Sequence, residues 1–381
     1  MAERKVEDNV NSGGVLDNTF KKERNSNLEL FRIIVMLLIV AHHYVVNSGL
    51  TAADGPIFAN PLSFKSIFLL LFGMWGKTGI NCFVLITGYF MCKSSITLKK
   101  FLKLLLEVYL YRIIFYVIFL VSGYQPFSLT GLVKIILPFT SVSTGFTGCY
   151  LLFFLFIPFL NILIGKLTER QHILLNALCL LIYTLIGTVP TFTVTMNYVS
   201  WFIVLYFMAS YIRLYPEKWF EDRRITGFAA LFFVICSMCS VVVMQWISVK
   251  IGRTGLQYWF VADSNKILAV LTAISAFCFF KNLKIKNSRF INTVAASTFG
   301  VLLIHANSDA MRKWLWKDVL NNVGMYDSNL IYVHAFGSVI CVFAICAIID
   351  ILRRRFLEEP FFQRLDRKKR MASRKRSAEN E

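Results

Sequence analysis

The sequence predicts an all-α, polytopic integral membrane protein of about ten transmembrane helices with both termini cytoplasmic, and three observations carry that expectation. The chain is too apolar for an ordinary soluble domain: 56% of its 381 residues are hydrophobic, 36 are phenylalanine, and the mean hydropathy is +0.59. Its apolar residues come in long runs broken by short polar loops, the pattern of helices that satisfy their own backbone inside lipid. Its cations alternate across those loops. With the N-terminus placed in the cytoplasm, thirty of the 41 lysines and arginines fall in cytoplasmic segments and eight in external ones, and Arg32, Arg112 and Lys266 lie within spans. The formal charge of +19 is thereby assigned to the cytoplasmic rim and to anionic lipid, and no nucleic acid is needed to explain it.

The elements follow in order. Residues 1–27 are polar, contain Gly13-Gly14 and show no apolar period, so a disordered tail is expected there. A ten-helix membrane domain is expected over 28–362, beginning with a span at about 30–49. After Pro56 and Pro61, SIFLLLFGMW reads as an interfacial or partly buried helix, and the second span as about 78–93. Basic KSSITLKKFLK then leads to a span at 104–123. Further spans are expected at 148–165, 173–190, 198–214, 226–250, 263–280, 292–311 and 329–352, before a basic cytoplasmic tail over 363–381. The nine cysteines lie almost entirely in apolar runs and read as small buried hydrophobes; Cys236 and Cys239 have redox spacing but no His or acid nearby. No cleavable signal peptide is expected, because no small-residue cleavage site follows the first apolar run.

The first span carries the candidate chemistry. In ELFRIIVMLLIVAHHYVVN, eleven steps at 100° bring Arg32 and His43 to within about 20° of one helix face, roughly 16 Å apart along the axis. His42 points about 100° away. Ionisable groups at that depth are functional-site candidates. Two plainer readings stand beside this one: Arg32 snorkelling to the headgroups, and His43 as a histidine satisfied between packed helices. His305 in the ninth span matches the depth of His43, and His334 in the tenth reads as structural. Asn81, Trp201 and Lys266 occupy outer parts of their spans. Glu107 and Arg112, five residues apart, do not stack as a helical ion pair; each reads either as paired with another helix or as facing the interior. A cation at the cytoplasmic face and an imidazole deeper in suit a reaction with a cytoplasmic anionic donor and an external acceptor, the imidazole acting as general base or acyl carrier. No serine nucleophile elbow, phosphate-binding loop or metal-ligand spacing is present, and no metal is expected.

Several stretches together resemble the membrane-bound acyltransferase 3 family: ELFRIIVMLLIVAHHY with its R-x10-H spacing, GINCFVLITGYFM, YLLFFLFIPFLN, NYVSWFIVLYFMASYI and TFGVLLIHAN, in that order over nearly all of 28–362. The resemblance implies a ten-span enzyme of the bacterial plasma membrane that takes an acyl group, usually acetyl, from cytoplasmic acyl-CoA. The acceptor it implies is a hydroxyl of an extracytoplasmic or lipid-linked polysaccharide, with glycan-assembly proteins as possible partners. It makes His43 the catalytic histidine and Arg32 its partner on the donor side. The family's R-x-x-R pair before the third span has Lys100 and Lys103 as its nearest match here, implying contact with CoA phosphates through charge alone. The contrasting expectation is a transporter or flippase for a glycan or small polar solute; the absence of an inverted repeat of interrupted helices weighs against it.

Overall fold

The computed structural model describes residues 24–137 and 145–379. The tail expected over 1–27 therefore lies mostly outside the described residues. The chain is all α-helical over the described residues, in the order α1 Ser26–Val46, α2 Pro56–Ala59, α3 Phe64–Gly73, α4 Gly76–Met91, α5 Leu98–Val121, α6 Leu129–Ile136, α7 Phe146–Lys166, α8 Glu169–Cys179, α9 Tyr198–Leu214, α10 Lys218–Glu221, α11 Arg223–Lys250, α12 Ile267–Lys281, α13 Arg289–Ala295, α14 Thr298–His305, α15 Asp309–Lys313, α16 Ile331–Arg353 and α17 Glu359–Glu379. Segments Leu180–Ile186, Trp314–Val319 and Arg354–Glu358 widen to π geometry after α8, α15 and α16.

Helix starts follow local chemistry. The side chains of Asn25, Thr97, Asn197 and Asp222 accept from backbone N–H groups in the first turns of α1, α5, α9 and α11, and Thr168 and Gln171 form a reciprocal capping box at α8. The Ile225 and Arg224 N–H groups bound to Asp222 hold its carboxyl below the usual range. The first helix is the hub. It packs against α3, α4, α12, α13, α14 and α16, and Phe31 stacks on Phe280 with ring centroids 4.5 Å apart.

Six helical stretches are long and apolar enough to cross a membrane: Ser26–Val46, Phe64–Met91, Leu98–Val121, Phe146–Lys166, Arg223–Lys250 and Ile331–Lys368. The pair Arg289–His305 and Asp309–Val319, bent by 92°, makes a seventh if it counts as one span. Each of the ten intervals read from hydropathy contains a helix, but not every one is span-length. The apolar helices α9 and α12, of 17 and 15 residues, fall short of the ~20 residues a bilayer requires. Hydropathy does not separate a short buried helix from a span, and α9 is buried along most of its length. Two boundaries also differ. SIFLLLFGMW forms the partly buried helix α3 and runs on into the second span as one apolar stretch, Phe64–Met91. The ninth interval does not run through to 311, because the helix ends at His305 and the chain turns.

Cys82, Cys149, Cys278 and Cys346 are buried, whereas Cys239 and Cys341 are exposed on the surface of their helices. A cluster of charges joins α5 to α16. Arg353 contacts Glu107 at 3.1 Å, Asp350 at 2.8 Å and Glu358 at 2.8 Å, while the Tyr111 hydroxyl donates to Asp350 at 2.8 Å. Beside this cluster Gly300 of α14 approaches so closely that a Cβ there would overlap the Asp350 carboxylate.

Candidate active site

A cavity of about 280 Å³ opens beside the C-terminal half of α1. Met36, Ile39 and His43 line it, continuing one helical stripe that begins with Arg32 a turn before Met36. His42 also reaches its wall, its Nδ1 2.6 Å from the Gly73 carbonyl. The carbonyl only accepts, so that nitrogen carries the proton. The His42 ring lies where a side chain at Gly76 would be, so Gly76 must remain a glycine for the ring to sit there.

The geometry that decides the chemistry is a relay of two histidines. His43 Nδ1 lies 2.9 Å from His305 Nε2, and His305 Nδ1 lies 2.6 Å from the Val301 carbonyl. The carbonyl has no proton to give, so His305 Nδ1–H donates to it. In the neutral ring His305 Nε2 is then an acceptor, and His43 Nδ1–H must donate to it. What remains on neutral His43 is Nε2 with its lone pair, on a side chain in the cavity wall. His305 is fully buried behind it, and Trp316 meets the His305 ring edge-on.

Arg32 lies at the other end of the stripe. Its Nη1 is 3.2 Å from Glu29, its guanidinium stacks over the Phe83 ring that lines the cavity, and its Nε is buried without a partner among the described residues. The remaining residues singled out from sequence divide clearly. Arg112 lines the cavity, with Nη1 donating to the Lys134 carbonyl at 2.8 Å. Asn81 does not: its Nδ2 donates to the Ser264 carbonyl at 2.7 Å and its Oδ1 accepts from Trp201 Nε1 at 2.9 Å, a buried link among α4, α9 and the start of α12. Lys266 donates to the Gly187 carbonyl and lies over the Trp259 ring. Glu107 belongs to the Arg353 cluster. His334 accepts from or donates to the Tyr44 hydroxyl at 2.8 Å and is a packing histidine. Lys103 contacts Glu358 at 3.1 Å, and Lys100 donates to Ser94 and to the Ser95 carbonyl; neither lines the cavity.

The cavity also contains cations absent from the sequence-level site, Lys77 and Arg312. Lys77 pairs with Asp263 at 3.4 Å and with the Tyr198 hydroxyl; Arg312 pairs with Asp309 at 2.9 Å. In the sequence each stands one residue outside an expected span, 78–93 or 292–311, where a lysine or arginine reads as an ordinary flanking charge.

A family model described as an acyltransferase domain matches residues 25–351, most of the chain. The chain belongs to the acyltransferase 3 family. It is therefore a multi-pass membrane acyltransferase, and the match covers every helix that contributes to the cavity. Comparison with curated proteins and with solved structures found no similar chain. Among the described residues of this acyltransferase there is no group of three or more His, Cys, Asp or Glu placed to hold a metal ion. The transporter alternative gives way to the family assignment.

Proposed function

We propose that this acyltransferase transfers an acyl group, acetyl in the first instance, from cytoplasmic acyl-CoA to a hydroxyl of an extracytoplasmic or lipid-linked polysaccharide at the bacterial plasma membrane. The observation that carries the reading is the His43–His305–Val301 relay. It leaves His43 Nε2 as the basic nitrogen and gives the charge that develops on His43 a fixed acceptor behind it. In the proposed step the acceptor hydroxyl oxygen attacks the thioester carbonyl as His43 Nε2 takes its proton. The C–S bond breaks when the tetrahedral intermediate collapses, and the same proton passes to the departing thiolate, giving the O-acyl ester and free CoA.

A ten-helix domain with both termini cytoplasmic is part of this reading. It is supported by the distribution of lysine and arginine and by a helix in every expected interval. In this orientation Arg32 faces the cytoplasm, where a CoA phosphate would complete its bonding. Lys100, whose partners are neutral, is better placed for a second phosphate than Lys103, which Glu358 already neutralises.

The test is the base-labile acyl content of surface polysaccharide in cells with no copy, the intact gene or His43→Ala at matched expression. Esters that appear only with the intact gene support the reading. Equal ester in all three, or full activity of His43→Ala, overturns it.

A further inference from the structure

The acceptor side of the cavity has a marked charge. Lys77, Arg112 and Arg312 line it, contributed by α4, α5 and α15, and no carboxylate is found among its described lining residues. The carboxylates that partner two of these cations stand outside the lining. Asp263 beside Lys77 is 41% exposed and Asp309 beside Arg312 is 95% exposed, so water screens both pairs. Arg112 has no carboxylate partner among the described residues, only the Lys134 carbonyl. Arg312 keeps a buried Nε without a partner among the described residues. The start of α7, Phe146 to Gly148, faces the same space, with no side chain capping that helix among the described residues. Its N-terminal dipole adds to the positive field.

Three cations on separate helices are not needed to bind a neutral sugar, which hydrogen-bonding amides and aromatic faces hold well. Nor are they placed for the donor in the proposed orientation. They share the wall with His42 and His43, roughly 16 Å along α1 from Arg32. We propose that the acceptor is an anionic polymer, one that carries a phosphodiester or carboxylate close to the hydroxyl that is acylated. Lys77, Arg112 and Arg312 hold that anion while the neighbouring hydroxyl meets His43 Nε2. The inference rests on the acyl-transfer reading and narrows its substrate class.

The experiment separates surface polymers of expressing cells by anion exchange, then measures base-labile acyl ester in the bound and unbound fractions. It is run for the intact protein, Lys77→Met, Arg312→Met, the charge-keeping Lys77→Arg and Arg312→Lys, and cells with no copy. The expected result is ester confined to the bound fraction. It falls at least tenfold in each methionine variant and recovers in the charge-keeping ones, while acetyl-CoA raises the melting temperature of all purified variants equally. Ester in the unbound, neutral fraction overturns the inference while leaving acyl transfer intact. Loss of the acetyl-CoA shift in the methionine variants also overturns it, assigning the cations to donor phosphates. Ester that does not depend on the gene in either fraction overturns the transfer reading itself.

Discussion

Whether His43 works as a base depends on which of its ring nitrogens holds the proton, and His305 decides it. The Val301 carbonyl fixes the His305 proton on Nδ1, and His305 fixes the His43 proton on Nδ1 in turn. His305→Leu removes the acceptor while keeping an apolar side chain in a dry site. His43 is then free to rotate or change tautomer, and the initial rate of ester accumulation should fall about 10- to 100-fold, as expected when the partner that orients a catalytic ring is lost. His43→Ala should lose on the order of 10²- to 10⁴-fold, the usual worth of a positioned general base. An unchanged rate in His305→Leu at equal protein level would make the relay a packing contact. A second residue-scale prediction concerns Gly76. Its Cα faces the His42 ring, so Gly76→Ala should cost about 1–3 kcal/mol through overpacking, seen as a lower melting temperature of the detergent-purified protein. Gly165, which has open space around it, should accept alanine without that loss.

At the scale of elements, α14 links the charge cluster to the relay. Gly300 near its start rests against Asp350 of α16, and His305 is its last residue. Asp350 is held in turn by Arg353 and Tyr111. Gly300→Ala therefore has to push α14 away from α16, displacing His305 from His43. Misplacement by about 1 Å can cost on the order of 10²-fold, so transfer should drop far more than the amount of folded protein does. Rates per folded molecule that match the parent would show that α14 tolerates the shift. Removing the centre of the cluster is a different experiment. Arg353→Met leaves Glu107 and Asp350 without a cation and Glu358 with Lys103 alone, and should destabilise the fold by about 3–5 kcal/mol, read from chemical or thermal unfolding. That Arg32 and His43 share a face was legible in the sequence from helical periodicity alone, and the structure adds Met36 and Ile39 between them. His305 was legible only as a histidine of matching depth, since its bond to His43 depends on where α14 packs. Asn81, Trp201 and Lys266 show the limit of depth as a guide. Hydropathy places a polar residue along the membrane normal but not around the helix, and these three bond to backbone or to each other inside the bundle. Lys77 and Arg312 escape that guide for the opposite reason: each stands one residue outside an interval that reads as a span, where a cation looks like an ordinary flanking charge.

At the scale of the whole molecule, the acyltransferase reading requires two compartments, so the side on which each loop lies is part of the mechanism. The helix α11 gives the cleanest test. Its 28 residues rise about 42 Å, more than the roughly 30 Å hydrocarbon core, and most of its surface is exposed rather than buried in the bundle. Arg213, Lys218, Arg223 and Arg224 cluster at and before its start, while Lys250 and Arg253 stand at its end. The larger count belongs inside. A cysteine placed at Arg253 should react with a membrane-impermeant maleimide in intact cells, and one placed at Lys218 only after permeabilisation. The parent chain, labelled in parallel, sets the baseline for the nine native thiols, and retained ester formation shows that each variant is folded. Reaction at both positions from outside would show that α11 does not cross the membrane, and the reverse pattern would turn the molecule over. His43 and the cationic wall would then face the cytoplasm, and Lys77, Arg112 and Arg312 would fall to the phosphates of the donor, with the acceptor left uncharged.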